Sequence, residues 1–276
     1  MPVRNEARFI DASLTALRAQ DHPHVEIIVC DNASDDDTLA ICERHALADA
    51  RVRIERSSQN LGAIGNFRRA FELARGEYFM WASGHDLWST DFVSACASRL
   101  QAESGASIAF AGSRWIDAEG GPLARASGWA DTRGLAPLAR WMTVFWGNMH
   151  PIYGLIRSAH LRACAAMEER VGADLVLLAE LALRGDFVHV PGPLWSRREF
   201  RRETAYEHKL ARYSSHENRI AGTVWRRRFP LLGLPLALAA TLSRANIRGV
   251  ERWAALLALA GALPLRHRIG RRMTIG

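Results

Sequence analysis

Val25-Glu26-Ile27-Ile28-Val29-Cys30-Asp31-Asn32-Ala33-Ser34-Asp35-Asp36-Asp37-Thr38 is the stretch that decides the fold. Its first six residues form a short apolar run rich in β-branched side chains, which reads as a buried strand. The run breaks on Asp, Asn and Ser, whose side chains compete for backbone groups and favour turns and helix starts. A helical pattern follows over 38–48, with Leu39, Ile41, Cys42 and His45 helically placed.

The same alternation extends outward in both directions. Asn5 is expected to cap a helix over about 7–20, with Phe9, Ile10, Leu14 and Leu17 on one face. Arg51-Val52-Arg53-Ile54-Glu55 alternates like a half-exposed strand. Asn60-Leu61-Gly62-Ala63-Ile64-Gly65-Asn66 opens a helix through about residue 74, and Gly76 is placed as its stop. Tyr78-Phe79-Met80-Trp81 is a buried strand ending in Ser83-Gly84-His85-Asp86. Thr90 or Asp91 caps the next helix, and 107–111 is a further strand. Strands and helices at this spacing predict an α/β fold with a parallel sheet covered on both faces, and ligands bind such sheets beyond the carboxyl ends of the strands. Asn5-Glu6, Asp31-Asn32 and His85-Asp86 all fall at such ends, so they converge on one crevice.

Beyond residue 114 the pattern is looser. Gly120-Gly121-Pro122 marks a turn, 153–157 a strand, and Ser158 the start of a helix to about 169. Residues 174–184 form an apolar helix, with Leu175, Leu178, Leu181 and Ala182 on one side. Phe187-Val188-His189-Val190 is a strand, stopped by Pro191-Gly192-Pro193.

The chain has 276 residues, 49% hydrophobic and 24% charged, a balance that buries a core and excludes disorder as the main state. Its four cysteines form no C-x-x-C pair, so buried thiols in a reducing cytoplasm are expected rather than a zinc or redox motif. Met1 leads straight into the charged Arg4-Asn5-Glu6-Ala7-Arg8, with no signal-peptide pattern. Ten arginines and one acid, Glu251, fall in 226–276, so the net charge of +7 resides there and the body is slightly acidic. The body therefore offers no basic face for nucleic acid. The tail's two apolar runs are shorter than a membrane-spanning helix requires. They are read either as a helix pair on an anionic membrane surface or as a helical appendage packed on the body.

Pro2-Val3-Arg4-Asn5-Glu6 is similar to the opening motif of the family 2 glycosyltransferases of the GT-A fold. The 27–38 segment resembles that family's second motif, Asn60-Leu61-Gly62 with Asn66 a third, and Gly76-Glu77-Tyr78 a fourth. Ser83-Gly84-His85-Asp86-Leu87-Trp88 stands where the family has its D-x-D motif. The resemblance is tight over 2–110 and continues loosely to about 200.

It implies a GT-A-like domain over 1–225, with a donor half at 1–110 and an acceptor half at 111–225, followed by a basic helical tail at 226–276. It also implies transfer of a sugar from a nucleotide diphosphate sugar to an acceptor hydroxyl, with inversion. By resemblance, Pro2 and Glu6 line the base and ribose pocket, and Asp31 hydrogen-bonds the base. Asn60, Gly62 and Asn66 shape that pocket, and Asp86 binds a divalent metal, Mg or Mn. A base imide N–H does need an acceptor such as Asp31, and a diphosphate leaving group needs its charge offset.

The sequence departs from the family in two places. It opens inside a motif that a longer first strand normally precedes, and the D-x-D position reads Gly84-His85-Asp86. His85 is either a nitrogen ligand suited to Mn or a donor-pocket residue without a metal role. Asp174, which opens the helix after the acceptor region, is the candidate base, with a plain helix-dipole acid as the alternative. Arg197 and Arg198 follow the last strand and are read as a grip on diphosphate or an anionic acceptor, or as a solvated basic loop. His150 is read as lining an acceptor pocket or as a structural histidine, and Trp115, Trp129, Trp141 and Trp146 fall in the segment of an acceptor lid, read as faces for sugar stacking or as core. The setting implied is glycan or surface-polysaccharide assembly on a glycan or lipid-linked acceptor, cytoplasmic and peripheral at the inner face of a membrane. An inactive nucleotide-binding homologue and a nucleotidyltransferase are the competing functions.

Overall fold

In the computed structural model, which describes residues 1–165, 167, 168, 170, 172–200 and 233–273, the 27–31 run is buried along its whole length. It is β2 (Ile27–Asp31), the middle of a parallel three-stranded sheet ordered β1-β2-β3 with β1 (Pro2–Val3) and β3 (Val52–Arg56). Val3 and Arg56 flank Asp31 in register, so the carboxyl ends of all three strands lie level. Helices α1 (Ile10–Arg18), α2 (Thr38–Ala48) and α3 (Gly62–Glu72) connect or follow these strands. Helix α2 has the expected bounds. Helix α1 does not start on Asn5: its N-cap is Phe9, without a side-chain cap. Asn5 instead takes φ +53° and exchanges hydrogen bonds with Asp35, lacing the loop after β1 to the loop after β2.

The second sheet is mixed, ordered β4-β7-β6-β8-β5. It contains β4 (Tyr78–Phe79), β5 (Leu87–Trp88), β6 (Ala106–Ile116), β7 (Leu155–Arg157) and β8 (Asp186–Arg198). Only β6 and β8 run parallel; the other pairs are antiparallel. Pro191-Gly192-Pro193 does not stop β8. Prolines cannot donate to a ladder, so the three residues leave it as a bulge: Val190 pairs with Ala111 and Leu194 with Gly112. The strand resumes because Leu194–Arg198 finds partners on both sides, in β6 and in β5. Helices α4 (Phe92–Ala102), α5 (Pro137–Trp146), α6 (Ser158–Arg162) and α7 (Ala173–Arg184) complete the body, α6 ending well before residue 169.

Helix α7 buries Leu175, Leu178, Leu181 and Ala182 as expected, and Leu177 and Ala179 as well. The tail packs into the same core. In α8 (Gly233–Arg244), Leu238 and Leu242 are fully buried, and Thr241 Oγ1 accepts a 3.0 Å hydrogen bond from the Trp141 indole of α5. Buried Glu180 of α7 pairs with Arg244 of α8 at 3.3 Å. Helix α9 (Gly249–Met273) buries Ala255, Leu259 and Ala262. The boundary expected at 225/226 lies outside the described residues, but α8 shares one core with α5 and α7.

Helix α8 therefore contributes to the stability of the body. Leu238→Ala is expected to lower unfolding free energy by about 2–4 kcal/mol, the range for a buried leucine that leaves a cavity. Urea denaturation measures it, and an unchanged midpoint would show that the tail is not part of this core.

Candidate functional site

The carboxyl ends of β1 and β2 carry loops held by side chains. Asp31 ends β2, fully buried, and its carboxylate accepts the Ser34 N–H at 3.3–3.4 Å. Asn32 acts as a clip. Its Nδ2 donates to Asn60 Oδ1 at 2.8 Å and to the Gly62 carbonyl at 3.2 Å, and its Oδ1 accepts the Leu61 N–H at 2.8 Å. Asn60 Oδ1 also takes the Gly62 N–H. Gly62 turns into α3 at φ +72°, a left-handed conformation that favours glycine. Asn66, one turn later, donates to the Cys30 carbonyl at 2.8 Å. Ala33 holds φ +55°, which costs a residue with a Cβ about 1–2 kcal/mol.

Glu6 closes one side. Its N–H donates to Thr38 Oγ1, and its carbonyl accepts from Phe9 and Ile10 as α1 begins. Its buried carboxylate meets His85 Nδ1 at 3.1 and 3.2 Å. A Cβ at Gly84 would lie 2.9 Å from Glu6 Cγ, so an acid at this position has no room. Pro2 pairs with Cys30 in the sheet beneath. The structure thus gathers Glu6, Asp31, Asn60, Gly62, Asn66 and His85 around the strand ends.

Asp86, assigned from the sequence as the metal ligand, is engaged elsewhere. It is 4% exposed. Its Oδ2 accepts the Trp195 indole N–H at 3.0 Å and its Oδ1 the Arg198 backbone N–H at 2.8 Å. His85, the other candidate, faces Glu6. Among the described residues no three His, Cys, Asp or Glu side chains group as a metal site. A hard divalent ion wants carboxylate oxygens free to coordinate; these residues do not supply that set.

Above Asp86 stands an aromatic wall. Ser113 pairs with Trp195, and Trp115 with Arg197, so these four side chains share one sheet face. His150 is buried there: its Nδ1 accepts from Ser113 Oγ at 2.8 Å while Nε2–H donates to the Ala111 carbonyl at 3.1 Å. Burial pushes its pKa down to about 4. Tyr153 and His150 both pack on the Trp195 ring. Of the four tryptophans expected to form an acceptor lid, Trp115 reaches this wall. Trp141 is core, stacked on Phe145, Trp129 packs on Phe110 and Phe187, and Trp146 is exposed. Arg198 is committed to backbone carbonyls of His85, Asp117 and Ala118.

Asp174 lies in the first turn of α7 behind Gly172 at φ +79°, and its Oδ1 accepts the Leu175 N–H at 2.9 Å. Helix α7 leads into β8 through Gly185 alone. A cavity of about 440 Å³ lies at the opposite, amino end of the strands, between Ile27, Ile28, Tyr78 and Phe79. Thr38 and Trp195 were not read from the sequence as site residues, and Asn32 was read only as a polar residue at the crevice, without its role as a clip. The one local signal was the asparagine directly after the strand-ending acid.

A model described as Glycosyl transferase family 2 matches residues 1–160. The putative teichuronic acid biosynthesis glycosyltransferase TuaG of Bacillus subtilis is 27% identical over 122 residues, 44% of this chain and 48% of that protein. The chain thus spans about half the length of this curated relative. The crystal structure of S. aureus TarS 1-349 in complex with UDP-GlcNAc superposes with a TM-score of 0.68 at 16% identity, covering 94% of this chain and 70% of that one. Mannosyltransferase PcManGT from Pyrobaculum calidifontis, in complex with GDP-Man and Mn2+, gives 0.54 at 19% identity, covering 96% and 79%. At these identities the two structures establish a shared fold.

Two outcomes follow for stability. Asn32→Ala strands the Leu61 N–H and the Asn60 loop and is expected to cost about 1–3 kcal/mol in urea denaturation; an unchanged midpoint would refute the clip. His150 titrates near 6.5 when unfolded but near 4 when folded. Between these values the unfolded chain binds the extra proton, so stability present above pH 6.5 is lost as pH falls toward 4. The loss approaches about 3 kcal/mol, and a His150→Asn chain measured over the same range should lack this component of the slope.

Proposed function

The chain belongs to glycosyl transferase family 2, and on that premise we propose that it transfers a sugar, with inversion, from a nucleoside diphosphate sugar to an acceptor hydroxyl. The observation that carries this reading is the convergence of Glu6, Asp31, the Asn32–Asn60 clip and His85 at the carboxyl ends of the strands. Asp31 provides the acceptor for a base N–H. Gly62 brings backbone close to the ribose, with Asn66 supporting the loop from below. Glu6 and His85 form a polar side of the pocket beside Pro2.

Asp174 is the proposed general base. It takes the proton from the acceptor hydroxyl as that oxygen attacks the anomeric carbon and the nucleoside diphosphate leaves. Its place in the first turn of the helix that follows the acceptor region supports this role. The Trp115, Trp195 and Tyr153 rings offer apolar faces on which a sugar stacks.

The proposed setting is polysaccharide or glycan assembly on a glycan or lipid-linked acceptor at a membrane surface. No helix among the described residues is long and apolar enough to cross a membrane. Helix α9 instead exposes Val250, Trp253, Leu257 and Leu265 at helical spacing, with Arg248, Arg252, Arg266 and Arg268 in the same segment. That combination supports peripheral attachment to an anionic surface.

Release of UDP, GDP or dTDP from the corresponding nucleotide sugars, with and without glycan acceptors, tests the reading. Asp174→Asn is expected to lower kcat by about 10²–10⁴-fold while nucleotide binding, followed by thermal shift, persists. Nucleotide binding without turnover under every condition would instead identify a non-catalytic homologue.

A further inference from the structure

Arg197 holds a guanidinium whose donors nothing among the described residues satisfies. Its charge centre lies 4.1 Å from the Trp115 ring centroid and 4.7 Å from that of Trp195. The rings stabilise the cation through their faces, but they accept none of its N–H donors in the ordinary sense. Among the described residues it has no hydrogen bond and no ion pair, while its neighbour Arg198 spends its donors on three backbone carbonyls. Arg197 is half-buried, and burial away from water lowers its pKa. A partly desolvated, oriented cation with free donors is a socket for an anion.

The location defines the anion. Trp195, on which Arg197 lies, donates to Asp86 at the position where the family places its metal ligand. That carboxylate is already bonded on both oxygens, and Gly84 has no room for another acid. Among the described residues, those that would hold a divalent ion are therefore engaged or missing, and a guanidinium with free donors stands on the adjacent strand. Arg125 also stacks on Trp115 at 4.0 Å, but its charge is paired with Glu199 at 3.0 Å, which leaves Arg197 as the cation of this stack with free donors among the described residues.

Resting on the transferase reading above, we propose that Arg197 binds the diphosphate of the donor and supplies the charge neutralisation that a metal ion otherwise provides. The planar fork meets two phosphoryl oxygens at once. As the bond to the anomeric carbon breaks, the growing charge on the leaving phosphate is held by N–H donors already in place, with no rearrangement of the site. The Trp115 and Trp195 rings that contact the guanidinium are the positioning device for the fork.

Isothermal titration of the full chain with UDP, GDP and dTDP, and with the monophosphate of whichever binds, in EDTA and then in Mn²⁺, tests this. The diphosphate is expected to bind in EDTA within about threefold of its affinity in Mn²⁺ and to outcompete its monophosphate. Arg197→Gln should weaken the diphosphate by about 10- to 100-fold and leave monophosphate affinity unchanged. Arg197→Lys should recover only part, because it keeps the charge and loses the fork. Unchanged melting temperatures for both variants establish that they fold. Diphosphate binding that vanishes in EDTA, or that survives Arg197→Gln intact, overturns the proposal. A loss confined to a lipid diphosphate acceptor, with nucleotide affinity intact, also overturns it. A wild-type chain that binds none of the nucleotides fails the donor reading itself, a different result from any of these.

Discussion

The buried carboxylate of Asp86 joins parts of the chain that the sequence keeps far apart. Its two acceptor oxygens take N–H groups 109 and 112 residues downstream, from Trp195 and Arg198. A charge this deep in the protein persists only when hydrogen bonds replace the water it has lost. The two bonds meet that requirement and fasten β5 to β8. They also set the Trp195 ring, against which His150, Tyr153 and Arg197 pack. The wall of the crevice that faces the donor diphosphate in our account is thus oriented by a carboxylate that itself touches no substrate.

The opposite wall is built by a different device. The acids after β2 are engaged in the turns, as their turn-forming chemistry leads one to expect: Asp35 exchanges bonds with Asn5, and Asp36 accepts from Ala7 and Thr38. The Asp35 bonds hold Asn5 at positive φ, and Ala33 takes a positive φ as well, a strain carried at the two strand ends where a ligand would approach. Asn32 then ties a third loop to the same strand end. Packing supplies the rigid base beneath these loops, and side-chain hydrogen bonds shape their rims.

Local pattern made the first half legible. Helix α2 matches its expected bounds because a turn cluster precedes it and its periodicity is unbroken, and β2 matches within two residues at its start and one at its end because a short β-branched run admits little else. The misreadings arise where partners are distant. The Pro191-Gly192-Pro193 bulge breaks every local rule for a strand, and β8 continues because β6 and β5 pair with it on either side. The tail's composition left two readings open; the Trp141–Thr241 bond, spanning a hundred residues, seats α8 in the core, while α9 keeps an exposed apolar row. Asp86 was legible as a special residue, but its partners were not. The unsatisfied state of Arg197 follows only from seeing which neighbouring arginine is engaged.

Hydrogen–deuterium exchange of the full chain, with and without a nucleoside diphosphate sugar, tests the location of the site most directly. The account predicts slowed exchange at residues 3–6, 31–34 and 60–66 on one wall and at 113–115 and 195–198 on the other. Protection confined to 22–28 and 74–80, around the cavity at the amino ends of the strands, would contradict it.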